Sequence, residues 1–223
     1  MLEVNPRASR TVPFVSKSTG QQLAKIAARC MVGQSLEDQK QPVEVDLDHY
    51  SVKEAVFPFA KFLGVDPVLG PEMRSTGEVL GLSSSYGEAF YKAQEGIQSK
   101  LPLEGTVLIS VNNRDKSEVV DVAKSLVRDG FKIVATRGNY ELLQANGVPA
   151  ERVNKLYEGR PNISDMITNG DIQLIINSPV GKDSVHDDSY LRKAAVKAKV
   201  PYLTTVAAAR ASAEGIHYVK EHG

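Results

Sequence analysis

The sequence predicts an α/β protein whose C-terminal part is a doubly wound parallel sheet of about five strands. From about Pro102 onward, short apolar runs alternate strictly with segments of helical periodicity. A strand that returns through a helix to its neighbour makes the two strands parallel, so this alternation favours a wound sheet with helices on its faces. The composition, 42% hydrophobic and 24% charged residues, is typical of a folded chain.

Five strand and helix pairs make up this C-terminal part. The predicted strands are TVLISV, KIVAT, RVNKLY, IQLIIN and PYLTT. The helices that follow them are SEVVDVAKSLVRDG, YELLQAN, NISDMIT, SYLRKAAVKAK and VAAARASAE. In the first of these helices Val119, Val122 and Leu126 recur at helical spacing, and Gly130 is a typical C-terminal stop.

The first hundred residues are less regular. They contain a helix from about Gln21 to Val32, a strand-like patch YSVKEAVFPF and a helix from about Tyr86 to Gln98. The segment GVDPVLGPEMRSTGE is predicted to be a loop. Within the first helix, Cys30 is expected to be a small buried residue. We therefore divide the chain into residues 1–100 and 101–223.

The charge balance excludes two classes of function. Lys plus Arg number 27 and Asp plus Glu number 27, so the net charge is zero. A nucleic-acid binder held by phosphates or a polybasic membrane-surface protein would show a basic excess. No apolar run has the length of a membrane span, and the charged N-terminus is unlike a signal peptide. We expect a cytoplasmic protein without nucleic-acid or membrane partners. The sequence is compatible with a homo-oligomer.

Polar and cationic side chains follow the predicted strands at their carboxyl ends, the edge where ligands of wound sheets bind. Taken singly, each is equally well explained as a helix cap or a surface lysine. Together they favour a site for phosphate or another anion, because hydroxyls, amides and ammonium groups meet at one edge. These residues are Lys116, Thr136, Lys155, Asn177 and Ser178.

A second pattern lies at the N-terminus. Glu3 and Asn5 alternate on one face of an extended segment, where a carboxylate and an amide oxygen can both reach one Mg²⁺. Arg7 and Arg10 would then be able to meet phosphate oxygens. From this spacing alone, a charged edge strand is the better interpretation.

Longer motifs resemble one family. NPRASRTVPF, GPEMRSTGEV, VATRGN and VNKLYEGRPNISD occur in order along the chain. They are similar to the C-terminal portion of the carbamoyl-phosphate synthase large chain. That portion contains the end of the second ATP-grasp domain and a methylglyoxal-synthase-like regulatory domain. The resemblance covers essentially the whole sequence and assigns these two parts to residues 1–100 and 101–223.

The resemblance implies a role within a larger enzyme. The complete synthase is an ATP-dependent ligase that makes carbamoyl phosphate from bicarbonate, glutamine-derived ammonia and two ATP, for pyrimidine and arginine biosynthesis. It uses MgATP, with Mg²⁺ or Mn²⁺, and its partners are a glutaminase small chain and the rest of the large chain. Most of the ATP-grasp core would lie before Met1, so we expect this chain alone to be inactive and mainly regulatory.

The resemblance also implies three sets of site residues. UMP as inhibitor and IMP as activator would bind with their phosphate at Lys116, Thr136, Asn139, Lys155, Asn177 and Ser178. An ornithine-type effector would bind at Glu54, Tyr202 and Thr204. Mg²⁺ ligands of the second ATP site would be Glu3 and Asn5, with Arg7 beside them.

Departures from the family pattern leave alternatives open. Asn139 and Pro179 stand where bacterial members commonly have Thr, and this change bears on which nucleotide the site accepts. A stand-alone methylglyoxal synthase is one alternative, since His186 is suitably placed. However, Asn113 and Arg160 replace the carboxylates which that chemistry needs. A split synthase, in which another chain supplies the ATP-grasp core, is the other alternative.

Overall fold

A computed structural model describes residues 7–41, 44–57, 77–97, 99–178 and 185–223, except for the side chains of residues 185–188. The helices are α1 (Thr11–Thr19), α2 (Leu23–Met31), α3 (Tyr86–Gly96), α4 (Lys116–Arg128), α5 (Arg137–Ala145), α6 (Ile163–Asn169), α7 (Val185–Ala198) and α8 (Val206–His222). The strands are β1 (Tyr50–Val56), β2 (Gly77–Ser83), β3 (Thr106–Val111), β4 (Lys132–Thr136), β5 (Glu151–Val153), β6 (Leu174–Ser178) and β7 (Tyr202–Leu203). None of these helices is long and apolar enough to cross a membrane.

The C-terminal sheet is parallel throughout and has the strand order β5-β4-β3-β6-β7. The chain winds outward from β3 through β4 to β5 and then crosses back to β6 and β7. This confirms the predicted doubly wound sheet of five strands. The third and fifth strands are shorter than predicted, at three and two residues. The winding direction reverses between β3 and β6, which is where such sheets bind ligands.

Two apolar clusters cover the two faces of this sheet. Val107 and Ile109 of β3 belong to the cluster that contains side chains of α4 and α8. Leu108, between them in sequence, belongs to the cluster that contains side chains of α6 and α7. All three residues are completely buried. The strands therefore read as continuous apolar runs because both faces of the sheet are covered.

An antiparallel hairpin of β1 and β2 lies outside this sheet, with Tyr50 opposite Ser83 and Val56 opposite Gly77. The strand-like patch is confirmed as β1, whereas β2 was not predicted because Gly and Ser interrupt its apolar pattern. Residues 64–76 of the predicted loop lie outside the described residues, and its last two, Gly77 and Glu78, belong to β2 instead. Gly81 of β2 lies against α3, and a Cβ there would lie 1.9 Å from the Ala89 carbonyl oxygen. Glycine at this position therefore permits the close approach of α3 to the hairpin.

Helix α3 joins the hairpin to the C-terminal helix α8. The two helices meet at Gly87 and Gly215, where the backbones are in contact. A Cβ on Gly215 would lie 2.7 Å from the Gly87 carbonyl oxygen, and a Cβ on Gly87 would lie 2.8 Å from the Glu214 carbonyl carbon. The hairpin and α3 are therefore packed onto the C-terminal unit, while the boundary at residue 100 stays a prediction.

Near the N-terminus, α2 matches the predicted helix closely, whereas α1 was not predicted. Its sequence, TVPFVSKST, is rich in β-branched and hydroxyl residues, which are weak helix formers. The expected burial of Cys30 is wrong: the residue is exposed, and α2 has no buried residue. The amphipathic spacing of α2 was read correctly, but no described element covers Cys30. Gln39 Nε2 donates to the Cys30 sulfur at 3.3 Å.

Candidate anion-binding site

A cavity of about 520 Å³ opens at the carboxyl ends of the parallel strands. It lies at the reversal point between β3 and β6, where Val111 is in register with Ser178. The structure brings all six residues predicted for the nucleotide phosphate to its lining: Lys116, Thr136, Asn139, Lys155, Asn177 and Ser178. These side chains come from five different segments, so only the folded sheet assembles them.

The charges around the cavity favour an anion. The cationic side chains of the lining are Arg114, Lys116, Arg137 and Lys155. Arg137 is paired with Glu141 at 3.1 Å, but Lys116 and Lys155 pair with no carboxylate of the described residues. Glu158 accepts a hydrogen bond from the Lys155 backbone N–H at 2.9 Å. Lys155 Nζ lies 5.9 Å from the centroid of the Tyr157 ring, a cation–π contact. Neither ammonium is neutralised by a carboxylate of the described residues, so both can bind an anion.

The hydroxyl of Ser178 is held as a donor. Its Oγ accepts hydrogen bonds from the Asn112 backbone N–H at 3.1 Å and from Asn112 Nδ2 at 3.0 Å. A hydroxyl has two acceptor lone pairs and one O–H, so only the O–H remains for a ligand. Asn112 is itself fixed, because its Oδ1 accepts from the Arg114 N–H at 2.7 Å and its Nδ2 donates to Asp115 at 2.7 Å. Asn112 is thus a positioning residue that sequence reasoning missed.

The hydroxyl of Thr136 has a similar arrangement. Asn139 Nδ2 donates to Thr136 Oγ1 at 3.0 Å, and both side chains are buried. Thr136 is the N-cap residue of α5, yet its side chain caps no backbone N–H of the helix. The first N–H groups of α5 therefore carry no side-chain cap at the cavity edge, where they favour negative charge.

The ammonium of Lys116 lies over the first turn of α5. A Cβ built on Gly138 would lie 3.1 Å from Lys116 Nζ. The glycine leaves this space open, so a lysine and a helix N-terminus face the same point of the cavity. Gly138 was not predicted as a site residue, and only its position between two predicted residues signalled its importance.

Asn177 connects the cavity to β7. Its Nδ2 donates to the hydroxyl of Tyr202 at 2.5 Å. Thr204 follows β7 and is exposed, whereas Glu54 lies in β1 and accepts from Gln94 Nε2 at 3.3 Å. Burial raises the pKa of the Glu54 carboxyl. Of the three positions expected for an ornithine-type effector, Tyr202 therefore contacts a residue of the cavity lining, Asn177.

The structure does not test the expected metal site. Glu3 and Asn5 are outside the described residues. Arg7 is exposed and donates to the Ala8 carbonyl at 3.1 Å. Among the residues that the structure describes, no group of three or more His, Cys, Asp or Glu side chains is placed to hold a metal ion.

Carboxylates are scarce in the part of the lining that the structure describes. Glu158 is the one carboxylate among the described residues that line the cavity. Asn113 also lines it, while Arg160 is exposed and pairs with Asp165 at 3.2 Å. Pro179 and the side chain of His186 lie outside what the structure describes. Apolar side chains complete the wall, as in pockets for organic ligands: Leu156, Ile163 and Leu191.

Comparison with known proteins agrees with the resemblance seen in the sequence. Residues 118–204 match the family described as the MGS-like domain, and this segment contains most of the cavity lining. The chain thus contains an MGS-like domain, which is consistent with the five-stranded parallel sheet.

Relatives match over nearly the whole chain. A protein of Xanthomonas campestris named carbamoyl phosphate synthase large chain is 54% identical over 98% of this chain and 20% of that protein. A protein of Methanothrix thermoacetophila with the same name is 50% identical over 97% of this chain and 20% of that protein. A protein of Methanopyrus kandleri named as the C-terminal section of that large chain is 51% identical over 100% of this chain and 42% of its own length. The chain thus spans about a fifth of the full-length relatives, and the resemblance seen in the sequence is confirmed.

Proposed function

We propose that the cavity binds the phosphate of a nucleotide effector and that the chain is mainly an allosteric regulatory module of glutamine-hydrolysing carbamoyl-phosphate synthase. One observation carries the proposal: two ammonium groups that no described carboxylate neutralises, and two hydroxyls that each accept a hydrogen bond from a neighbouring amide, surround one cavity. The ammonium groups belong to Lys116 and Lys155, and the hydroxyls to Thr136 and Ser178. Such a set stabilises an anion at several oxygens at once.

The size and wall of the cavity support an organic phosphate. A volume of about 520 Å³ is larger than a phosphate group alone requires and lies within the range of small-molecule pockets. Lys116, Thr136 and Asn139 lie at the N-terminus of α5, and the lining also contains the apolar residues Leu156 and Leu191. A nucleoside monophosphate likewise combines a charged group with a flat, less polar base. UMP as inhibitor and IMP as activator are the effectors we propose.

The wider role rests on the named relatives. In this proposal the module acts on an ATP-dependent ligase that uses MgATP, together with the rest of the large chain and a glutaminase small chain. Glu3 and Asn5, with Arg7 beside them, are proposed for the metal and nucleotide of the second ATP site. Glu54, Tyr202 and Thr204 are proposed for an ornithine-type effector. The hydrogen bond from Asn177 to Tyr202 would give the two effector sites a direct contact.

The proposal is tested by nucleotide binding to the full chain. A ligand that binds only the folded state raises the melting temperature, so UMP or IMP at millimolar concentration should raise it. Calorimetric titration should show an affinity about ten-fold or more lower for Lys116→Gln and for Lys155→Gln, because each removes a charged hydrogen-bond donor. Lys124→Gln is the matched control, since Lys124 is exposed on α4 outside the cavity.

The variants also define what would contradict the proposal. If neither nucleotide binds the wild-type chain, the cavity is not an effector site. If both bind but Lys116→Gln and Lys124→Gln bind equally well, the nucleotide occupies another site. Formation of methylglyoxal from dihydroxyacetone phosphate by the chain would favour an enzymatic role in place of regulation.

A further inference from the structure

We propose that Glu158 binds the ribose hydroxyls of the nucleotide, so that the cavity selects ribonucleotides over 2′-deoxyribonucleotides. This inference rests on the proposed nucleotide site and concerns the part of the ligand beyond its phosphate. It follows from one accessible carboxylate in a cavity whose other described charged side chains are cationic.

A turn after β5 fixes the position of this carboxylate. The Glu158 backbone N–H donates to the Lys155 carbonyl oxygen at 3.1 Å, and the Lys155 backbone N–H donates to Glu158 Oε2 at 2.9 Å. These two hydrogen bonds close the turn, and Lys155, Leu156 and Glu158 all line the cavity. The turn therefore brings a cationic, an apolar and an anionic residue to the same wall.

The carboxylate keeps acceptor capacity for a ligand. Glu158 is exposed, and no donor from the described part of the chain reaches its Oε1. The nearby guanidinium of Arg160 pairs with Asp165 instead, at 3.2 Å. A carboxylate without a proton only accepts and has about four lone-pair sites, so one structural hydrogen bond leaves room for two more.

Charge decides which part of the ligand this carboxylate can meet. A phosphate is negatively charged and rich in acceptors, so Glu158 repels it, whereas Lys116 and Lys155 attract it. The sugar of a nucleotide is uncharged and offers O–H donors. Carboxylates accept from ribose hydroxyls in dinucleotide-binding folds for this reason. Ribose has neighbouring 2′ and 3′ hydroxyls that can both donate to one carboxylate, and 2′-deoxyribose has lost one of them.

Calorimetric titrations of the full chain with UMP and 2′-deoxy-UMP measure this selection. The two ligands share their phosphate and base, so the ratio of their affinities isolates the 2′ hydroxyl. We expect UMP to bind about ten-fold more tightly than 2′-deoxy-UMP, the factor expected for one hydrogen bond to a charged acceptor. IMP and 2′-deoxy-IMP should give a similar ratio, because the base does not take part in this contact.

Glu158→Gln tests whether this residue causes the selection. The amide oxygen can still accept from the Lys155 N–H, so the turn is retained while the charge is removed. The preference for UMP over 2′-deoxy-UMP should shrink to about three-fold or less, because a hydrogen bond to a neutral acceptor is roughly half as strong. Inorganic phosphate has no sugar and should bind at least as tightly as to wild type, since a negative charge has left the cavity. A merely structural role of Glu158 would instead weaken all three ligands alike.

Glu151→Gln is the matched control. Glu151 is exposed on β5 and does not line the cavity, so this variant should keep the wild-type ratio. If Glu158→Gln does not fold, the comparison of UMP with 2′-deoxy-UMP on the wild-type chain still decides whether the sugar is selected.

The outcomes distinguish this inference from the proposed function. Equal affinity of the wild-type chain for UMP and 2′-deoxy-UMP would overturn the selection of ribose and leave the phosphate site intact. An unchanged ratio in Glu158→Gln would overturn the assignment to Glu158. Failure of both UMP and IMP to bind would overturn the proposed function and this inference together.

Discussion

Gly138 and Lys116 occupy adjoining space at the first turn of α5: a Cβ on Gly138 would lie 3.1 Å from Lys116 Nζ. The glycine is not in a left-handed conformation, so alanine fits the backbone and has the higher helix propensity. We expect Gly138→Ala to fold with unchanged or slightly higher stability. The displaced ammonium should weaken phosphate binding several-fold, as measured by calorimetry and thermal melting of the same samples.

Gly170→Ala provides the opposite pattern and serves as the control. Gly170 ends α6 with φ of 79°, and a Cβ there would contact nothing within 4 Å. Alanine is strained in this conformation, so stability should fall by about 1 kcal/mol with unchanged phosphate affinity. If Gly138→Ala retains wild-type affinity for phosphate, the position of Lys116 Nζ beside Gly138 is not required for binding.

Asn112→Asp tests the positioning of the Ser178 hydroxyl. The carboxylate can still accept from the Arg114 N–H. It also faces the Asp115 carboxylate, to which the Asn112 amide donates at 2.7 Å, so we expect some loss of stability as well. It can no longer donate to Ser178 Oγ, and the hydroxyl should instead donate to the new carboxylate. The Ser178 hydroxyl then no longer donates to the phosphate, and the added negative charge repels the ligand. Phosphate affinity should fall by about ten-fold or more, the loss expected when one hydrogen bond to a charged group is removed.

Ser178→Ala separates the two effects, because it removes the hydroxyl without adding charge. Its loss of affinity should be smaller than that of Asn112→Asp. Equal binding by wild type and Asn112→Asp would mean that Asn112 does not control the cavity.

Glu54 predicts a pH dependence of stability. Burial raises its pKa in the folded state, so the folded chain binds this proton more tightly than the unfolded chain. The stability that Glu54 contributes through this proton is therefore fully present below the usual pKa of a glutamate. It is lost as pH rises through the raised pKa of the folded state. Glu54→Gln keeps an oxygen for Gln94 and removes the charge, so its melting temperature should exceed that of wild type at pH 7.

The difference should disappear at pH values below the usual range of a glutamate. Glu151→Gln, at an exposed position of β5, is the control and should show no comparable change. A Glu54→Gln variant that is less stable than wild type at pH 7 would show that the charged form is favoured in the fold.

The contact of α3 with α8 can be tested at the two glycines. Gly87→Ala places a methyl group 2.8 Å from the Glu214 backbone, which cannot move aside as a side chain would. We expect a loss of about 1–3 kcal/mol in the free energy of unfolding, the usual cost of overpacking. Gly96→Ala is the milder comparison, since the atoms nearest to its methyl belong to the Val79 side chain, 3.1 Å away.

Chemical denaturation measures both variants. A single cooperative transition that shifts with Gly87→Ala would show that the hairpin and α3 unfold together with the parallel sheet. An unchanged transition would indicate that α3 does not depend on α8.

Periodicity predicted the parallel sheet well because β3, β4 and β6 are buried on both faces and read as unbroken apolar runs. It failed for β2, since Gly77 and Gly81 interrupt the apolar pattern, and the need for Gly81 arises only from the approach of α3. The rule that ligands bind at carboxyl ends of strands predicted five of the six cavity residues, and the family resemblance added Asn139. It did not identify Asn112 and Gly138, because their roles depend on distances between separate segments.

The most direct test of the account is an NMR titration of the ¹⁵N-labelled full chain with UMP. The account predicts that the largest shift changes fall on the backbone amides of Gly138, Asn139 and Ser178 around the cavity, and that they saturate with a single affinity. Changes that are absent, or confined to residues far from the carboxyl ends of β3 and β6, would contradict it.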